Sequence, residues 1–256
     1  MTRRFVDISV PLRAGIKSDP PGLEPKIQYF GHKDGLDDLE TMMGFGNDKL
    51  PDGEAWAVEN VQMSTHNGTH LDAPWHFHST MDGGKPSATI DEIPLDWCFR
   101  PGVKFDFREK PDGYICTAAD VEQELSRINY ELRPFDIVLI NTSAGTRYGE
   151  DDYVDRGCGM GRDATLYLLN RGVRLAGTDG WSWDAPFRFT RERIAATRDY
   201  SLFWEGHKAG REIGYCHLEK LHNLESLPAT GFTVCCFPVK VERASAGWTR
   251  AVAILE

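Results

Sequence analysis

The run MSTHNGTHLDAPWHFHSTMD, residues 63–82, carries four of the chain's eight histidines, His66, His70, His76 and His78, with Asp72 among them. A single histidine is more often a packed or solvated side chain than a ligand, so the spacing has to carry the argument. On an ideal strand His66, His70 and Asp72 share a face. At about 3.3 Å per residue, however, His66 and His70 would stand ~13 Å apart, too far to share an ion with bonds near 2 Å. A helix would bring i and i+4 together, and Gly68, Thr69 and Pro74 oppose one. Asn67-Gly68 offers a third solution: both residues tolerate positive φ, so a tight turn folds the chain back and aims both imidazoles inward while Asp72 closes the set. Two imidazoles and one carboxylate leave open positions on an ion, the catalytic pattern rather than the closed structural one. His76 lies beyond Pro74, and its spacing fits either a further ligand or a base that holds the metal's water. His78 reads as loop chemistry, and Trp75 and Phe77 as a pocket wall or as packing.

Upstream, FVDISVPL (5–12) reads as an opening strand. Residues 17–54 are rich in Gly, Pro and Asp with little periodicity; a stretch of this kind reads as a functional insertion with one short helix, lining a site or a subunit contact. Residues 55–66 return to a strand. Downstream, Thr117 caps a helix over 118–129 whose Val121, Leu125 and Ile128 share a side. DIVLINTS (136–143) is an apolar strand of the buried-sheet kind. A helix over 162–170, a strand VRLAGTD (173–179), a helix over 190–203 and strands near 212–218, 232–241 and 249–255 follow. This alternation predicts an α/β chain with a mixed sheet, and the absence of a clean linker predicts one domain over 1–256.

The 256 residues are 41% hydrophobic and 11% aromatic, enough for one well-filled core and too many for wholesale disorder. A formal net charge of −10 opposes binding to a phosphate backbone or an anionic membrane. The start MTRRFVDISVPLRAG meets Asp7 and Pro11 before a signal-peptide core can form, and FTVCCFPV (232–239) is far short of the ~20 apolar residues of a membrane helix. Six cysteines without a CxxC pair read as reduced, packed thiols of a cytoplasmic protein. There is no GxSxG sequence, and Cys158 in GCGMG has no local histidine partner. Serine and cysteine nucleophiles are therefore disfavoured.

HNGTHLDAPWHF (66–77) resembles the HxGTHxDxPxHF signature of the metal-dependent cyclase family, whose members include bacterial kynurenine formamidases and isatin hydrolases. VDISVPL (6–12) resembles that family's first strand and turn, and FPVKVERASAGWTRAVAI (237–254) its closing strands. Within HKAGREIGYCHLEKLHNL (207–224), His207 and Glu219 resemble its second ligand pair, a histidine followed twelve residues later by glutamate in an ExLxNL context. The resemblance implies a compact swivelling β/β/α domain with a mixed or barrel-like sheet, assembled as homodimers or larger homo-oligomers. It implies His66, His70 and Asp72 as ligands of a first Zn²⁺ or Mn²⁺. Asp72 would bridge to a second ion held by His207 and Glu219, and His76 would take the general acid/base position. In single-metal members the His207/Glu219 pair would serve the reaction without an ion, so one or two ions per chain are compatible with it.

His217, two residues before Glu219, shares its face in a regular strand and is a candidate pocket residue. In GTDGWSWDAPF (177–187), Asp179 and Asp184 are suited to fixing loop N–H groups and Ser182 to bonding a substrate carbonyl. Trp181 and Trp183 alternate, so one can face a pocket while the other packs; Trp56 and Trp75 are further candidates for an aromatic wall. The expected activity is metal-dependent hydrolysis of a C–N bond in a small aromatic or cyclic amide by metal-activated water, with His76, His207 and Glu219 as the catalytic set. A lactone or ester hydrolase is the alternative, followed by a non-catalytic metal-binding protein.

Overall fold

The computed structural model describes residues 3–46 and 49–255. Among these, nine strands share one mixed sheet: β1 (Arg4–Asp7), β2 (His70–Asp72), β3 (Phe99–Asp106), β4 (Ile137–Asn141), β5 (Leu175–Thr178), β6 (Cys216–Glu219), β7 (Phe232–Cys235), β8 (Ala246–Trp248) and β9 (Val252–Leu255). Their order across the sheet is β1-β9-β7-β3-β4-β5-β6-β2-β8. The central run β3-β4-β5-β6 is parallel and the flanks are antiparallel. The parallel strands need crossovers, and these carry α3 (Ala118–Arg127) and α4 (Arg162–Asn170), while α1 (Leu36–Met43) and α2 (Pro74–Phe77) precede them. Between β5 and β6 come α5 (Phe187–Thr197) and α6 (Glu205–Lys208).

Strand β4 shows how the sheet is buried on both faces. Its alternate residues Ile137 and Leu139 enter one apolar cluster, with Leu71, Leu218, Val234 and Ala253 from strands far apart in the sheet order. Val138 and Ile140 enter a second cluster, with Val121 and Leu125 of α3 and Ala164 and Leu168 of α4. The first cluster is the inside of a curled half-barrel and the second is the helix-covered outside. Past β1 the chain bends across the curl: Ile8 N donates to Ala251 O and His222 N to Ile8 O, and Ser9 bridges to Leu221. All six cysteines are free. No helix of the described residues is long and apolar enough to cross a membrane.

Several sequence-based boundaries move. The opening strand ends at Asp7, where the chain turns toward Leu221. The 55–66 strand is Val58–Gln62, and it pairs with Lys26–Phe30 in a separate hairpin rather than with the main sheet. The early segment thus holds a strand as well as its short helix. The 190–203 helix starts at Phe187 and stops before Arg198, which adopts φ 60. The strand expected near 212–218 is Cys216–Glu219, the one at 249–255 is β9 (Val252–Leu255), and β8 (Ala246–Trp248) is a short strand the reading did not assign. Strand β3 falls where the sequence reading assigns no element. In the sheet Gly102 lies under the Phe232 ring, where a Cβ would come within 2.1 Å of it.

Buried Asp179 ties the end of β5 to that of β4, accepting from Asn141 Nδ2 (2.9 Å), Thr142 N and Thr142 Oγ1 (2.6 Å). Burial pushes its carboxyl up to about 7 in spite of these bonds. A carboxyl raised on folding stabilises most below the unfolded value, and that contribution is lost as pH rises through about 7. Asp179→Asn should therefore flatten the decline in urea midpoint between pH 5 and pH 8 relative to the parent. Parallel profiles would show that Asp179 stays ionised throughout.

Candidate metal centre

The register of β2 against β6 places Asp72 opposite His217 and His70 opposite Glu219. Alternate residues of a strand face opposite ways, so Leu71 and Leu218 enter the inner core while His70, Asp72, His217 and Glu219 make one polar patch on the other face. The turn before β2 forms where the sequence placed it. Gly68 has φ +62, Asn67 N donates to Ser64 O (3.1 Å), and Asn67 Oδ1 accepts from Ser64 N (2.7 Å). It brings His66 Nδ1 to 2.9 Å from Asp72 Oδ1, with Ser245 Oγ 3.0 Å from His66 Nε2. Pro74 starts α2, which carries His76 Nε2 to 3.9 Å from Asp72 Oδ2. From α6, His207 Nε2 lies 3.6 Å from Glu219 Oε1.

Outer groups set which ring nitrogen faces inward. His70 Nδ1 donates to Gly68 O (2.8 Å), leaving Nε2 directed at Asp72 Oδ1 (3.3 Å) and Glu219 Oε2 (3.7 Å). His207 Nδ1 bonds Asp184 Oδ2 (2.5 Å), and Asp184 also accepts from Gly206 N and His207 N, the loop-fixing role its sequence context suggested. Glu219 Oε1 accepts from Trp183 N (2.9 Å). At the centre, His70 Nε2 and both Asp72 carboxylate oxygens are buried without a hydrogen-bond partner. A fully buried carboxylate in that condition is costly unless a cation meets it, so the donor set fits a divalent ion. Two sets overlap on Asp72: His66, Asp72 and His76, and Asp72, His207, His217 and Glu219, each with its donor atoms within 4.8 Å of one another.

Burial would push the Asp72 carboxyl up, but the surrounding imidazoles of His76, His70 and His66 hold it well below the usual range. For Glu219, burial and the Asp72 charge push upward and the His217 contacts prevail, leaving it at about 2. Burial prevails at His76, lowering it to about 4 against the pull of Asp72. That imidazole is neutral at neutral pH and can take a proton.

A cavity of about 190 Å³ opens above the centre, with His66, His76, His207 and Glu219 in its lining. Trp181, Ser182, Phe187 and Trp204 form its walls, and Asp19, Leu23 and Lys220 complete it. Of the aromatic and polar pocket candidates, Trp181 and Ser182 line this cavity. Trp56 (37% exposed) and Trp75 (47%) do not line this cavity, and Trp183 is buried behind Glu219, stacked on His217 at 5.5 Å. These three are therefore not its wall. Trp204, which sequence reading missed, holds φ 56 and stacks on His207 at 4.6 Å and 10°. Lys220 and Asp19 were also missed. They form a buried ion pair; Lys220 Nζ also donates to His66 O (2.9 Å), and Asp19 accepts from Asn67 Nδ2 (2.9 Å) and Trp181 Nε1 (3.3 Å). The pair pins the early segment onto the histidine turn.

Residues 6–185 match the model of the Cyclase family, a span that holds the histidine run and stops short of His207 and Glu219. The kynurenine formamidase of Salinibacter ruber is 27% identical over 197 residues, covering 75% of this chain and 77% of that protein. Isatin hydrolase A from Ralstonia solanacearum superposes with a TM-score of 0.78 at 22% identity, covering 99% of this chain and 92% of its own. Isatin hydrolase A from Labrenzia aggregata, bound to benzyl benzoate, gives 0.76 at 23% identity, covering 99% and 94%. At these identities the superpositions establish a shared fold across nearly the whole chain. With the family match spanning more than half of the sequence, the chain belongs to the Cyclase family.

Proposed function

We propose that this chain is a metal-dependent hydrolase that opens the C–N bond of a small aromatic or cyclic amide. In this reading His66, His70 and Asp72 hold a first Zn²⁺ or Mn²⁺, and Asp72, His207 and Glu219 a second. The observation that carries it is Asp72, fully buried, with neither oxygen hydrogen-bonded and histidine nitrogens on several sides, beneath an aromatic-walled cavity. A bound divalent ion polarises a carbonyl and brings the pKa of its water toward about 7.

The chain's own groups do the rest. His76, neutral and half-buried beside the cavity, takes a proton at Nε2 during water attack and returns it to the leaving nitrogen. The rings of Trp181, Phe187 and Trp204 make a slot suited to a flat substrate, and Ser182 on its wall can donate to a carbonyl. Lys220 is engaged by Asp19, so the mouth presents a neutralised pair rather than a free cation. Asp19 and Leu23 bring the 17–54 insertion to the cavity, which supports its role in shaping access. The kynurenine formamidase relative and the isatin hydrolase structures favour an amide over a lactone. Free thiols suit the cytoplasm, and the stacked, exposed pair Phe99–Phe237 is an apolar patch of the sort a homo-oligomer covers.

The test is a metal-stripped and reconstituted sample assayed on N-formyl aromatic amines, isatin-like lactams and lactones in ¹⁸O water, with products followed by mass. One ¹⁸O in the acid released from an amide, lost on stripping and restored by Zn²⁺ or Mn²⁺, is expected. Turnover confined to lactones would overturn the C–N assignment, and amide turnover by the stripped protein would overturn the metal.

A further inference from the structure

We infer that His217 completes a closed cation site with Asp72, His207 and Glu219, and that this deeper ion organises the centre while substrate meets the ion on the His66 side. The inference rests on the metal-centre reading above and goes beyond it, since the family resemblance gives His217 no role. The residue is fully buried and sits directly across the strand pair from Asp72. Its ring is held between Phe77, at 4.9 Å and 7°, and Trp183, at 5.5 Å and 16°. The faces are therefore committed to packing, and only the edge nitrogens act.

Hydrogen-bond accounting fixes one of them. Tyr215 OH donates to Gly206 O (3.1 Å), so its oxygen, 3.3 Å from His217 Nδ1, accepts an N–H from that nitrogen. Nε2 is left facing Asp72 Oδ2 at 3.3 Å and Glu219 Oε1 at 3.2 Å. His207 Nε2 stands 3.6 Å from the same Glu219 oxygen, with its own Nδ1 engaged by Asp184. A tetrahedral ion with bonds of about 2.0–2.2 Å separates its donors by about 3.3–3.6 Å, close to the 3.3, 3.2 and 3.6 Å of these three pairs. Four protein donors fill a tetrahedron and leave no place for water, the structural pattern. His207 and Glu219 reach the cavity lining but are nearly fully buried, whereas His66, a ligand of the first ion in the reading above, is part-exposed there, so that ion keeps open positions toward the cavity. Two nitrogens and two carboxylate oxygens suit zinc at the deeper site.

The experiment titrates the metal-free full-length chain with Zn²⁺ and counts ions by mass spectrometry after gel filtration, with the visible spectrum of the Co²⁺ form as a second readout. His217→Phe keeps the ring stack while removing the donor. The parent should take up two ions and show the intense band of four-coordinate Co²⁺, whereas His217→Phe should take up one and lose that band. Tyr215→Phe, which releases Nδ1 without emptying the core, should weaken the second ion by about 10–100-fold, and it decides the matter if His217→Phe does not fold. Two ions at parental affinity in His217→Phe, or unchanged second-ion affinity in Tyr215→Phe, would overturn the assignment. A parent that binds no ion would instead overturn the metal centre as a whole.

Discussion

Asp72→Asn is expected to lower kcat/KM by on the order of 10³-fold, because Lewis-acid stabilisation worth several kcal/mol depends on the ions this carboxylate would hold. The substitution is nearly isosteric, and the strand's pairing to β6 and β8 runs through the backbone, so the fold should survive. What changes is the chemistry at the point where both donor sets overlap. The amide carries no charge, so it is a far weaker ligand for a divalent ion than the carboxylate it replaces. Ligand linkage gives the second readout: at free metal near 100 times Kd, the parent should gain about 2.7 kcal/mol of stability. Asp72→Asn should gain little of it. Unchanged ion content and turnover in this variant would remove Asp72 from the centre.

His76→Ala should behave differently, with bound metal largely kept and kcat reduced by roughly 10²–10⁴, the usual contribution of a positioned proton-transfer group. His76 is packed against His66 at 4.1 Å and Trp204 at 5.0 Å between ring centroids, so its nitrogen is held in place. Because burial lowers its proton affinity to about 4, the base is available through neutral pH and is lost as pH falls toward that value. The acid limb of the parent's kcat profile should therefore vanish in the residual activity of His76→Ala. Loss of an ion on this substitution would make His76 a ligand, a role that its place beside His66 and Asp72 also permits.

The local part of the centre was legible because short-range chemistry produces it. Asn67-Gly68 marked the turn, and Gly68 takes the positive φ that the two-histidine spacing required. The continuous apolar run of DIVLINTS announced a strand of a buried sheet, and β4 divides its residues between two cores. Strand β3 carried no local signal that the reading used: it is held by a long-range contact, in which Gly102 is the residue whose missing side chain admits the Phe232 ring at the β3–β7 pairing. Tryptophan identity also gave no direction: Trp181 lines the cavity, Trp183 packs two residues later, and Trp56 and Trp75 lie elsewhere.

By itself the sequence determined which donors were present, the turn that aims the first of them, and through motif resemblance the pairing of His207 with Glu219. Only the tertiary structure decided that β6 lies beside β2 with Asp72 opposite His217, bringing a seventh donor residue to the centre. It also decided that Asp19 reaches Lys220 and that Trp204 covers His207. The physical reason lies in the range of the forces. Turn propensity and strand alternation act over a few residues, whereas strand partners and register are selected by burial of both sheet faces across the whole chain. A one-residue slip of β6 would turn His217 and Glu219 into the apolar interior, and the cost of burying them there selects the register that builds the site.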